Sequence, residues 1–96
     1  MAKRTVAWTS TAASQRRYIL NYWTKRNRST VYAEKLIAET KDRIKTILIN
    51  PESCRLSEYP ETRIAVMGHF SIFYKFTKTH LIITAFWDNR QDPEKL

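Results

Sequence analysis

The chain has 96 residues, and a chain of this length accommodates one hydrophobic core but not a two-domain enzyme. Its hydrophobic fraction of 43% is that of a globular protein, and one glycine with three prolines is too few for a linker-rich or disordered chain. We therefore expect a single domain over residues 1–96.

The net charge of +8 is distributed unevenly along the chain. Residues 1–50 carry 11 basic and 3 acidic residues, whereas residues 51–96 carry 6 of each. A one-sided basic surface predicts attraction to a polyanion, which is either nucleic acid or a strongly acidic protein. The charge alone does not separate these two partners.

Cys54 is the single cysteine, so the chain forms neither an intramolecular disulfide nor a thiolate metal cage, which is typical of a reduced, cytoplasmic protein. There is no run of about 18 apolar residues, and the first residues lack the apolar core of a signal peptide. We expect a cytoplasmic protein with no metal, no cofactor and no contact with a membrane.

The first half of the chain predicts a strand followed by two helices. Residues Arg4–Trp8 include the β-branched Thr5 and Val6 and the aromatic Trp8, and Thr9–Thr11 supply three candidate helix N-caps. Apolar residues then recur at helical spacing from Ala12 to Lys25, and again, in a clearer stripe, from Ala33 to Leu48. Asn50-Pro51 ends the second helix, because proline disfavours helical geometry at the residue before it.

The second half changes to a period of two. Thr62–Met67, Phe70–Thr77 and Thr79–Trp87 predict three strands, joined by turns that are short enough for antiparallel hairpins. Strict alternation along the last strand assigns Phe86 to one face and four residues to the other: Leu81, Ile83, Ala85 and Trp87. The predicted fold is α+β with the order β-α-α-β-β-β, in which a helical hairpin packs on an antiparallel meander sheet. The second sheet face is apolar enough to suggest a partner or an edge segment over it.

Two stretches carry a resemblance to a known family. Residues 68–76 read Gly-His-Phe-Ser-Ile-Phe-Tyr-Lys-Phe, and residues 86–93 read Phe-Trp-Asp-Asn-Arg-Gln-Asp-Pro. The first is similar to the Gly-x-aromatic-x-Ile-x-Tyr strand of the RelE/ParE superfamily of bacterial type II toxins, and the second to the Arg-x-Asp tail of that family. The order of elements agrees over nearly the whole chain. The resemblance implies a toxin that a co-expressed acidic antitoxin wraps and holds inactive, so that the two form a hetero-oligomer.

The resemblance also implies one of two targets. RelE-like members cleave mRNA on the translating ribosome, whereas ParE-like members block DNA gyrase and catalyse no reaction of their own. This chain has Ser71 where RelE-like toxins have an arginine, Ala65 where they have a second lysine, and no tyrosine after Tyr74. These differences favour the ParE-like branch, with gyrase as the partner, and leave the mRNA endoribonuclease as the alternative.

The candidate site residues follow from these two branches. In the nuclease alternative the catalytic residues are Arg63, His69 and Arg90, because guanidinium groups bind phosphate and histidine titrates near neutral pH. Five residues are expected to bind the target or the antitoxin: Arg63, Phe73, Lys75, Trp87 and Arg90.

The same residues allow simpler interpretations. Arg63 would form a surface ion pair with Glu61, and Arg90 one with Asp88 or Asp92. A hypothesis outside the family is a small basic nucleic-acid-binding module, which needs aromatic residues interleaved with Lys and Arg on an exposed sheet face. The predicted strands carry few basic residues, which disfavours that module.

Overall fold

The computed structural model describes residues 4–91 and confirms the predicted α+β class and element order. The predicted contact of Arg90 with Asp92 and the end of the Arg-x-Asp tail lie outside the described residues. The elements are β1 (Thr5–Trp8), α1 (Ser10–Asn27), α2 (Val31–Ile49), β2 (Arg63–Met67), β3 (Phe70–Phe76) and β4 (His80–Asp88).

Local sequence explains the ends of both helices, although α1 extends two residues beyond its predicted range, Ala12 to Lys25, at each end. Thr9 Oγ1 accepts a hydrogen bond from the Ala12 amide at 3.1 Å, so α1 begins two residues before the predicted start. Its last helical residue is Asn27. The capping residue, Arg28, adopts a left-handed conformation with a φ of 51° and donates its amide to the Lys25 carbonyl. The last helical residue of α2 is Ile49, directly before Asn50-Pro51.

The four strands form one sheet in the order β1-β4-β3-β2. The predicted antiparallel meander of β2, β3 and β4 is present, and β1 joins its far edge in parallel with β4, with Thr5 opposite His80 and Trp8 opposite Ile83. The sequence does not indicate this parallel pairing, because β1 and β4 are separated by both helices and by the other two strands.

A β-bulge interrupts the pairing of β3 with β4. Phe73 lies opposite Ala85, but the next residue, Tyr74, lies opposite Ile83, so that Thr84 has no partner. An extra residue in one strand reverses the facing of every side chain beyond it.

The bulge corrects one prediction about the faces of β4. Phe86 is buried at 1% exposure on the helix side of the sheet, whereas Trp87 lies on the opposite side, across from Ser71. Strict alternation had placed Trp87 on the face of Leu81 and Ile83 and Phe86 on the opposite face, and it is wrong because it does not count the extra residue. The Phe86 amide is paired with the Gln15 side-chain oxygen on α1 at 2.9 Å.

The helical hairpin covers one face of the sheet and forms the core with it. The buried core residues come from both layers: Ala12 and Ile19 of α1, Leu36, Ile44 and Ile47 of α2, and Ala65, Phe70, Ile72, Tyr74, Leu81, Ile83 and Phe86 of the sheet. We call the opposite side of the sheet the outer face, and its central side chains are Phe73, Lys75, Ala85 and Trp87.

Candidate functional site

Arg63 begins β2, and its guanidinium group binds backbone carbonyls of the loop that follows α2. Nη1 donates to the Cys54 carbonyl at 2.6 Å and to the Glu52 carbonyl at 3.3 Å. The guanidinium carbon also lies 5.9 Å from the centre of the Phe76 ring. Within residues 4–91 no carboxylate pairs with Arg63, so the predicted ion pair with Glu61 is wrong. This arginine fastens the loop to the sheet.

Tyr74 fastens the same loop from the core. Its hydroxyl is fully buried and donates to the Pro51 carbonyl at 2.7 Å. Burial raises the pKa of Tyr74 because the phenolate would be desolvated, and the neighbouring Cys54 raises it further. A neutral tyrosine that donates to a carbonyl is a structural group, which agrees with the absence of a catalytic tyrosine in the ParE-like interpretation.

Arg90 follows β4 and forms a bidentate ion pair with Asp88. Arg90 Nε and Nη2 donate to the two carboxylate oxygens at 2.8 Å each, and the Arg90 amide donates to Asp88 Oδ1 at 3.0 Å. The Asp88 side chain is 7% exposed and that of Arg90 39%. Burial raises the pKa of the Asp88 carboxyl, but the hydrogen bonds from Arg90 outweigh it, so that the pKa lies below its ordinary value. The expected ion pair is present, although it is partly buried.

The Arg90 guanidinium also stacks on aromatic rings. Its carbon lies 4.5 Å from the centre of the Trp23 ring and 5.5 Å from that of Phe70. Arg26, at 5.8 Å, lies against the same Trp23 ring. Trp23, Arg26 and Arg90 line a cavity of about 380 Å³, which we call the Trp23 cavity. Its lining also includes Asp88 and, from α1, Tyr18 and Tyr22.

Sequence reasoning did not single out the Trp23 cavity. One available signal is the spacing of Tyr18, Tyr22 and Arg26, which are four residues apart on a helix and therefore share one face. No sequence signal indicates that Arg90 also lines the cavity, because Arg90 is far from α1 along the chain.

His69 lies in the turn between β2 and β3 and is exposed. Its carbonyl accepts a hydrogen bond from the Asn89 amide at 2.7 Å, which places the turn beside the end of β4 and near Arg90. Arg63 lies at the other end of β2, and that length of extended strand spans about 15–20 Å. The three candidate catalytic residues of the nuclease alternative therefore divide between the two ends of the sheet.

Phe73 and Lys75 lie together on the outer face, in a cavity of about 320 Å³ that we call the outer groove. Phe73 is 8% exposed and packs edge-on against Tyr59, with their ring centres 5.7 Å apart. Lys75 is exposed, and Gln15 of α1 borders the groove. Threonine side chains complete the lining: Thr11, Thr62 and Thr84. An apolar floor, hydroxyl groups and a single cation suit a protein side chain or a short segment with a negative charge.

Trp87 lies on the same outer face but beside a different cavity. It lines a space of about 210 Å³ together with Tyr18 and Gln91. Its indole Nε1 is buried and finds no acceptor among residues 4–91. A buried donor without a partner is costly.

The described residues contain no group of three or more His, Cys, Asp and Glu side chains that could hold a metal ion. None of their helices has the length and apolarity needed to cross a membrane.

Comparison with known proteins identifies the family of this chain. The family model of the ParE toxin of the type II toxin-antitoxin system parDE matches residues 6–93, so this chain belongs to the ParE toxin family. A search of curated proteins finds no match to the chain.

Several solved structures share the fold. The chromosomal ParDE toxin-antitoxin system from P. aeruginosa superposes with a TM-score of 0.73 at 19% identity, over 88% of this chain and 94% of that one. The E. coli DinJ-YafQ toxin-antitoxin complex gives a TM-score of 0.56 at 10% identity, over 92% and 94%. YafQ from E. coli strain BL21(DE3) gives 0.50 at 13% identity, over 92% and 96%.

Proposed function

We propose that this ParE-family toxin arrests growth by inhibiting DNA gyrase and that it catalyses no reaction of its own. The observation that carries the proposal is the match to the ParE toxin model over residues 6–93. Inhibition of a large enzyme by a small protein requires a binding surface and no catalytic group, and the outer groove offers such a surface.

The positions of the charged groups support inhibition rather than RNA cleavage. General acid–base catalysis needs its proton donor and acceptor within hydrogen-bond reach of the same substrate. Arg63 is engaged with carbonyls at one end of the sheet, whereas His69 and the paired Arg90 lie at the other end. Without a large rearrangement these three residues do not meet on one phosphodiester.

Two parallel assays with the purified toxin test the proposal. We expect loss of supercoiling by purified gyrase on relaxed plasmid, and an intact reporter mRNA in a translating extract. Cleaved mRNA with undisturbed supercoiling would establish the nuclease alternative instead. His69→Ala serves as the matched variant, because it should leave gyrase inhibition unchanged if histidine has no catalytic role.

We further propose that a cognate acidic antitoxin binds and neutralises the toxin in the cytoplasm as a hetero-oligomer. The ParDE and DinJ-YafQ structures with this fold are named as a toxin-antitoxin system and a toxin-antitoxin complex. The net charge of +8 and the partly apolar outer face suit an acidic, amphipathic partner. Co-expression with a short acidic protein encoded next to this one should restore growth, and continued arrest would contradict the proposal for that partner.

Within this proposal, contact with the target or the antitoxin is made by the outer face. Phe73, Lys75 and Trp87 lie on it, whereas Arg63 and Arg90 act from the ends of the sheet by holding the loop and the end of β4 in place. Lys75→Gln should weaken the inhibition of gyrase or the binding of the antitoxin. Lys41→Gln, an exposed lysine on α2, is the matched control and should have no effect.

A further inference from the structure

The exposed side of α1 is charged with one sign only. Between Ser10 and Asn27 the exposed cations are Arg17, Lys25 and Arg26, the half-buried Arg16 packs over the Trp8 ring, and there is no acidic residue. Its left-handed cap, Arg28, adds a fifth cation directly after the last turn. Both described ion pairs lie elsewhere, within α2 and at the end of β4. The charge on α1 is therefore available to an anionic partner.

Two tyrosines stand out from this helix one turn apart. The side chains of Tyr18 and Tyr22 are 59% and 44% exposed. Their ring centres are 6.5 Å apart and the ring planes differ by 26°. Each exposed ring gives a planar group a surface on which to stack.

The tyrosines lead into the Trp23 cavity. Tyr22 meets the edge of the Trp23 ring with centres 5.2 Å apart, and Arg26 and Arg90 lie against that ring. The cavity of about 380 Å³ combines aromatic faces with the guanidinium group of Arg26, whereas Arg90 is paired with Asp88, which also lines the cavity. Aromatic faces bind bases of any sequence, and guanidinium groups bind phosphate.

We propose that this surface of α1 binds single-stranded nucleic acid. Unpaired bases stack on Tyr18 and Tyr22, and the phosphates contact Arg26 and the neighbouring cations. An acidic peptide would satisfy the charge but would not use two neighbouring exposed rings, so the two tyrosines favour a ligand with flat aromatic groups. A duplex hides the faces of its bases, so it can offer only its phosphates to this surface. This surface differs from the outer groove, to which we assign gyrase inhibition, although Tyr18 also borders the cavity beside Trp87.

The first experiment measures binding of fluorescein-labelled oligonucleotides to the purified full chain by fluorescence anisotropy. The probes are a 12-nucleotide thymidine strand, the corresponding uridine RNA, and a duplex of the same length. We expect both single strands to bind, more tightly than the duplex and more weakly as salt rises. Whichever of the two single strands binds with the higher affinity identifies DNA or RNA as the preferred ligand. Equal affinity for single strand and duplex, or no binding, would overturn the proposal.

Matched variants locate the site. The double substitution Tyr18→Leu/Tyr22→Leu keeps apolar surface but removes both rings, and it should weaken single-strand binding by about 10-fold or more. Tyr59→Leu removes a tyrosine that is 42% exposed elsewhere and should leave oligonucleotide affinity unchanged. Arg26→Gln should weaken the binding of single strand and duplex alike and reduce the salt dependence, whereas Lys41→Gln should not. Unchanged affinity in the double variant would overturn the proposal even if oligonucleotides bind.

Cross-linking tests the same site without substitution. Trypsin cleaves after Arg17 and Lys25 and releases residues 18–25, which contain Tyr18, Tyr22 and Trp23. Ultraviolet cross-linking to a bromouracil-substituted strand should attach the nucleotide to this peptide. Attachment only to peptides of the sheet would contradict the proposal. Poly-glutamate serves as a competitor that carries negative charge but no bases. If it displaces the strand equally well from the wild type and from the double variant, charge alone causes the binding, and the proposal is contradicted.

Discussion

The Arg63 end of the sheet and the exposed side of α1 differ in how they use positive charge. At the sheet end, Arg63 donates to two carbonyls of the loop after α2, and its cationic group is part of the structure. On α1, Arg17, Lys25 and Arg26 are exposed on the helix that carries Tyr18 and Tyr22, and they meet no acidic residue of their own helix. Cations that bind the protein's own backbone stabilise the fold, whereas cations without such partners are available for binding. The comparison separates structural from functional charge more clearly than the net charge does.

The largest expected loss of stability concerns Arg63, the structural cation in this comparison. Arg63→Met keeps the apolar stem but removes both hydrogen bonds to the loop, and we expect a loss of about 3 kcal/mol in the free energy of unfolding. Urea denaturation followed by circular dichroism measures it. Arg55→Met, in an exposed position of the same loop, is the control and should change the stability little. An Arg63→Met variant as stable as the wild type, yet inactive against gyrase, would make Arg63 a binding residue instead.

The second largest loss of stability is expected when the ion pair between Asp88 and Arg90, at the other end of the sheet, is removed. Asp88→Asn preserves size but weakens three hydrogen bonds from Arg90, and we expect a loss of about 2 kcal/mol at neutral pH. Since the pKa of Asp88 is lowered in the folded protein, its stabilisation is present above the ordinary carboxyl pKa of 3.8 and is lost as the pH falls below it. The stability difference between wild type and variant should therefore shrink in acid. A difference that stays constant down to the lowest accessible pH would argue against the ion pair.

The hydroxyl of Tyr74 should have a smaller effect. Tyr74→Phe leaves the Pro51 carbonyl without its donor, at a cost of about 1 kcal/mol. The pKa of Tyr74 is raised in the folded protein, so the folded state disfavours ionisation and the wild type should lose stability above pH 10. Unfolding measurements from pH 8 to pH 11 should show a weaker pH dependence in the variant. The same slope in both proteins would mean that another group causes the alkaline loss.

The smallest effect on stability is expected in the outer groove. Lys75 is exposed, and among the described residues it forms no ion pair, so Lys75→Gln should change the free energy of unfolding by less than about 0.5 kcal/mol. A loss of gyrase inhibition in a variant of unchanged stability would assign Lys75 to binding. Thermal denaturation of the purified variant provides the check. A large drop in stability would show that Lys75 supports the fold.

The element order was predictable because each element has a local signature. The apolar spacing of both helices, the stop at Asn50-Pro51 and the alternation of the strands depend on neighbouring residues only. The bulge at Thr84 has no such signature, since one extra residue in β4 is recognised only against the register of β3. It was therefore the cause of the wrong faces for Phe86 and Trp87.

The site was less predictable than the fold because its contacts join distant parts of the chain. Arg63 was recognisable as a candidate, but its partners are backbone carbonyls, which every residue possesses. The ion pair of Arg90 with Asp88 was predictable, because the two residues are close in sequence. The contact of Arg90 with Trp23 was not, because it exists only after β4 packs beside α1.

A titration of gyrase supercoiling activity with the wild type, Lys75→Gln and Lys41→Gln toxins tests the central claim most directly. The account predicts that the wild type and Lys41→Gln abolish supercoiling over the same concentration range and that Lys75→Gln requires a markedly higher concentration. Undisturbed supercoiling at every concentration of folded wild-type toxin would contradict it.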